Sequence, residues 1–269
     1  MAVEDTRQPR ESYMRADAHP PGSRVRSLWI RALWCLLIPL VALGVSAAIA
    51  RSVFLEDLGT RLDPFRQRTF DALHLVDPLA LQRPAELARF DGRFSAHPVL
   101  ARLHVGAGAL FLLLVPLQFS SQVRQRFITL HRWSGRLLVF LAFITGSSAL
   151  YFGLVVPFGG LFEAIAIAII DGLFLLSLAV AFAAIRRLQV ARHREWMIRA
   201  FALAIAISTI RIVELPLDLV LAPIGIPPDD VFVIGIWCGW LLTLGGAELW
   251  IRYTRSHVQS PGVPVAVVP

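Results

Sequence analysis

Six apolar runs of membrane-spanning length, separated by short arginine-rich turns, constrain this chain more than any other feature. They cover 28–50, 98–119, 132–155, 161–185, 197–215 and 231–251. Runs of about 20 residues match the thickness of bilayer hydrocarbon. Lipid offers the backbone no hydrogen-bond partner, so each run must be helical. The expected fold is therefore all-α and integral to the membrane, with six transmembrane helices. Pro39 and Pro116 fall inside runs and should bend them.

The arginines orient the chain. All 26 basic residues are Arg. Arg10, Arg15, Arg24 and Arg26 precede the first run, and Arg124, Arg126 and Arg132 separate the second from the third. Arg186, Arg187, Arg192 and Arg194 separate the fourth from the fifth, and Arg252 and Arg255 follow the sixth. With six crossings these clusters share one side, which positive-inside bias makes the cytoplasm. The opposite turns, "PFGG" (157–160) and "LAPIGIPPDD" (221–230), hold no basic residue.

The expected organisation follows. Residues 1–27 are a disordered cytoplasmic tail, polar and rich in Arg, Pro and Ser. Residues 28–50 are the first transmembrane helix, too long for a signal-peptide core. Residues 51–97 form an extracytoplasmic segment of mixed charge, read as a loosely packed lid, with 63–76 lying along the membrane surface. Residues 98–216 are the core domain, 217–251 the outer loop and last transmembrane helix, and 252–269 a cytoplasmic tail.

Net charge is +7. A basic balance can mean nucleic acid, but clusters set between membrane-length runs point to anionic lipid headgroups, which guanidinium groups bind well. Cys35 and Cys238 lie within apolar runs and suit neither a disulfide framework nor a metal site. No phosphate-cradling Gly loop, Gly-x-Ser-x-Gly or His-Glu-x-x-His pattern occurs, so no catalytic residue is proposed.

Two turns repeat a pattern. "LHRWSGRLL" carries His131, Arg132 and Trp133, and "ARHREWMIRAFAL" carries His193, Arg194 and Trp196. Gly108 lies 23 residues before His131, and Gly172 lies 21 before His193. Each time an apolar helix, a basic turn, His-Arg, a Trp and another apolar helix follow in order. The core is thus expected to be a four-helix bundle of two repeated hairpins, related by rotation about the membrane normal. Trp favours headgroup depth and Arg pairs with phosphates, so these six residues read first as interfacial anchors.

"HVGAGALFLLLVPLQF", "LHRWSGRLL" and "HREWMIRAFALAIAISTIR" resemble membrane-protein family 2306 of the domain-of-unknown-function series. The resemblance covers roughly 94–216. It implies a bacterial polytopic protein, hence the cytoplasmic membrane with both termini inside, and supplies no activity.

Ionisable groups within spanning helices are costly and mark candidate sites. His104 lies about 9 Å and Asp171 about 15 Å along their helices, at about 1.5 Å per residue. Arg211 and Glu214, three apart, share a face near a helix end. Aligning Gly108 with Gly172 sets His104 opposite Ala168, less than a turn from Asp171. These four residues are expected to make a polar site in the outer half, for a proton, a metal ion or an anionic head. The expected function is a small transporter or a sensor, with no cofactor. The alternative is a membrane redox protein holding haem b or quinone, for which His131 and His193, read as lying at the membrane edge rather than within helices, are the haem ligands available.

Overall fold

The structure is a computed structural model that describes residues 23–256. The chain divides into two compact units, 1–39 and 40–269. Of the first, residues 23–39 form the opening turns of α1 (Ser23–Val53). The second holds the end of α1 and then α2 (Leu58–Ala72), α3 (Arg83–Ser95), α4 (Pro98–Phe119), α5 (Ser121–Arg126), α6 (Ile128–Val155), α7 (Gly160–Arg186), α8 (Val190–Leu221) and α9 (Pro228–Ser256). Six helices, α1, α4, α6, α7, α8 and α9, are long and apolar enough to cross a bilayer. No strand occurs among the described residues.

The ends differ from the sequence reading. Of the tail expected to be disordered, residues 1–22 lie outside the described residues, whereas Ser23–Ser27 already belong to α1. The helices run through Pro39, Pro116 and Pro216 without a break. The larger correction concerns α8. Its 32 residues, at about 1.5 Å each, reach about 48 Å, well beyond the hydrocarbon. Arg192, Arg194 and Glu195 hid the extension at the start, and Pro216 and Asp218 hid it at the end. Of the expected tail 252–269, the first residues continue α9 to Ser256, and 257–269 lie outside the described residues.

Local chemistry sets the helix starts. Pro98 and Pro228 begin α4 and α9, where a missing N–H costs nothing. Asp229 and Asp230 sit in the first turn of α9, favoured by the helix dipole. Ser120 caps α5 by accepting from the Val123 N–H at 3.3 Å. Arg124 donates to the Gln118 and Phe119 carbonyls at 3.0 and 2.9 Å, which closes α4.

The bundle core is apolar and packed through small residues. Ala101, Ala142, Ala166, Ala181, Ala200 and Ala206 are fully buried. Small residues let helix backbones approach where lipid supplies no hydrophobic drive between helices. At Gly44, an added Cβ would lie 2.5 Å from Ser208 Oγ and 2.7 Å from Leu112 Cδ1, so a larger residue there must displace side chains of α4 and α8.

Candidate functional site

One end of the bundle is closed by α2 and α3. Their segment is no loosely packed lid: buried ion pairs fasten it. Asp91 of α3 is 0% exposed. It accepts from Arg51 Nη1 at 2.6 Å and from the Gly59 N–H at 2.9 Å. The carboxylate thus caps the start of α2 from outside that helix, a job its own Asp57 side chain does not perform. Glu163 closes the start of α7 from within that helix's own first turn, accepting from the Phe158 and Gly159 N–H groups at 2.6 and 2.8 Å. Arg93 of α3 donates to Glu163 at 2.8 Å. Its guanidinium stacks on Phe90 at 4.4 Å and Phe94 at 4.9 Å. Burial pulls Arg93 below its ordinary pKa, with Glu163 opposing, and the group stays cationic.

A second network ties the cap to the protruding end of α8. Arg66 and Arg83 both contact Asp77 and Asp218. Burial pushes the Asp77 carboxyl up, but the Leu79 N–H and the Arg83 and Arg66 guanidiniums outweigh it and hold the group below its usual range. Sequence reading missed Arg51, Arg66, Asp77, Arg83, Asp91, Arg93, Glu163 and Asp218 as a set. Only long-range pairing reveals them; "FDGRF" and "PFGGLFE" carry no local sign of each other.

The four expected site residues separate into two groups. His104 of α4 donates from Nδ1 to the Thr145 carbonyl of α6 at 3.1 Å and lies 3.0 Å from Ser148 Oγ. Asp171 of α7 packs against the same turn of α6. A Cβ built on Gly146 would lie 3.2 Å from Asp171 Oδ1 and 2.9 Å from Leu175 Cδ2, so any larger residue must push these side chains aside. Asp171 is 9% exposed, and its Oδ2 has no hydrogen-bond partner in the structure. Thr145 Oγ1, one residue away on α6, also lacks one. One α6 turn, Thr145 to Ser148, therefore separates His104 from Asp171 at matching depth.

Arg211 and Glu214 stand elsewhere. They pair with each other at 3.1 Å, about one-third exposed. Arg211 lies within electrostatic range of Arg51 and Arg93, beside the cap. Because α8 continues to Leu221, the pair is not near a helix end, and no hydrogen bond or ion pair joins it to His104 or Asp171.

The other end holds the two repeated turns. Arg136 stacks over Trp133 at 4.8 Å, and Arg199 stacks over Trp196 at 4.8 Å. Equal spacing and equal stacking give both hairpins the same local device. His131 and His193 each lie in the first turns of a helix, α6 and α8, rather than outside one. They are within electrostatic range of each other. His193 Nδ1 donates to the Ala181 carbonyl at 2.9 Å, whereas His131 Nδ1 is buried without a partner. Arg194 donates to Thr254 Oγ1 at 3.2 Å. No group of three or more His, Cys, Asp or Glu positioned for a metal occurs among the described residues.

Six helices long and apolar enough to cross a bilayer, with most charges at their ends, define an all-helical multi-pass membrane protein. The chain matches the family model DUF2306, described as a predicted membrane protein, over residues 101–251, and it belongs to that family. The match leaves out α1, α2 and α3, and it includes α9, beyond the 94–216 span of the sequence resemblance. Comparison with curated proteins and with solved structures returned no match.

Proposed function

We propose that the chain is a small transporter or sensor that works through Asp171, with His104 across the same α6 turn. The carrying observation is the Asp171 Oδ2 atom, buried within α7 and without a partner. A carboxylate inside a spanning bundle costs several kcal/mol unless it is neutral, paired or wet. Its presence is explained by reversible binding of a proton or a small cation. The glycine at 146 lies against the carboxylate and keeps α6 close to it. His104, fixed through Nδ1, keeps Nε2 on the other side of its ring, as an orienting carbonyl contact does for working histidines. Both termini on the cytoplasmic side of a bacterial inner membrane, with the cap outside, complete the reading.

Acid–base infrared difference spectra of the purified protein test it without knowledge of a substrate. A carboxyl band that titrates in wild type and disappears in Asp171→Asn supports the reading. A spectrum unchanged by the substitution contradicts it.

One observation favours a second reading, a membrane redox protein. His193 is oriented through Nδ1 by a carbonyl, the arrangement common for histidine ligands, and His131 approaches it from the other hairpin. A reduced-minus-oxidised visible spectrum would show haem bands, lost in His131→Ala or His193→Ala, if this reading holds.

A further inference from the structure

The duplicated Trp–Arg devices are alike in geometry and unlike in charge balance. In the second hairpin α9 neutralises the device. Arg199 forms a two-point pair with Glu248 at 2.5 and 3.0 Å, and Glu195 binds Arg255. In the first hairpin no comparable ion pair occurs among the described residues. No acidic residue occurs anywhere from Gly92 to Phe162. Arg126, Arg132 and Arg136 are exposed and have no acidic partner among the described residues. Trp133 is 64% exposed, and Phe127, at the turn before α6, is also exposed.

From this contrast we infer that the start of α6 is a binding station for the phosphate of an anionic membrane lipid, with Arg132, Trp133 and Arg136 as its recognising residues. Arg132 and Arg136 are four apart and share a face of α6. Helical side chains lean toward their own N-terminus, which here is the arginine-rich end, so Arg136 folds back over the Trp133 ring toward headgroup depth. Stacking fixes the guanidinium plane and leaves its N–H edge free for two-point contact with a phosphate. Trp133 and Phe127 hold the adjoining glycerol and upper acyl region, the depth that aromatic rings favour. The lipid phosphate takes in the first hairpin the place Glu248 holds in the second.

The test uses the full chain, purified in neutral detergent, stripped of lipid and titrated with phosphatidylglycerol or phosphatidylcholine while bound lipid is counted by native mass spectrometry. An arginine near an anionic headgroup contributes about fivefold in affinity. Wild type should prefer phosphatidylglycerol by about tenfold or more. Arg132→Gln/Arg136→Gln should abolish that preference. Arg186→Gln/Arg187→Gln, which removes the same charge at the same end without a tryptophan, should leave it within about twofold. Trp133→Ala should weaken both lipids. Equal loss in the two arginine pairs would overturn the inference, because it would mean diffuse attraction only. Displacement of the lipid by inorganic phosphate would overturn it as well, because the station would then take the free ion.

Discussion

The two ends of the bundle handle arginine in opposite ways. At the end closed by α2 and α3, the side chains of Arg51, Arg66, Arg83 and Arg93 are at most 13% exposed, and each meets a carboxylate from a distant part of the chain. At the other end Arg126, Arg132, Arg136, Arg186, Arg187 and Arg192 are exposed, and Glu195 and Glu248 are the only acidic residues there among the described ones. A buried guanidinium requires its own counter-charge, because desolvation is costly. An exposed one at the membrane edge finds its counter-charge in water and headgroups. The first kind fixes structure; the second kind leaves a surface open to the surroundings.

The largest expected effects lie at the closed end. Arg93→Met leaves Glu163 buried with only backbone donors and should cost about 3–5 kcal/mol, read as a fall in the unfolding midpoint in detergent. Adding Glu163→Gln to it should recover part of that loss, the mark of a coupled pair. Gly146→Val should cost about 1–3 kcal/mol, since its Cβ would meet Leu175 and Asp171. Asp171→Asn should stay within about 1 kcal/mol of wild type, because it removes an unpartnered charge while keeping the shape.

Acid should separate the ends. Asp77 is held below its usual 3.8, so its contribution is complete above that value and is lost as pH falls through the folded pKa. Hydrogen exchange in α2 and α3 should therefore rise on strong acidification before exchange in α6 does. Asp77→Asn should exchange faster at neutral pH and lose the acid step. The smallest effect belongs to the open end: Arg132→Gln/Arg136→Gln should shift stability in detergent by no more than about 0.5 kcal/mol. A larger shift would mean that those arginines also hold the fold together.

Hydropathy and arginine spacing made the six helices legible, because hydrocarbon imposes one length and one secondary structure. The repeat was legible because His131, Trp133 and Arg136 recur as His193, Trp196 and Arg199. The cap was not. Asp91 and Glu163 look like ordinary surface acids until folding places them at helix starts 32 and 5 residues away. Arg211 and Glu214 misled because the apolar run stopped at 215, just before Pro216, and so placed them near a helix end, whereas α8 continues to Leu221.

Arginine-selective modification of the lipid-stripped protein in neutral detergent, mapped residue by residue, tests the contrast between the ends most directly. Arg126, Arg132, Arg186 and Arg187 should react quickly, and Arg51, Arg66, Arg83 and Arg93 only after unfolding. Equal reaction rates at Arg83, Arg93 and Arg132 in the folded protein would contradict the account.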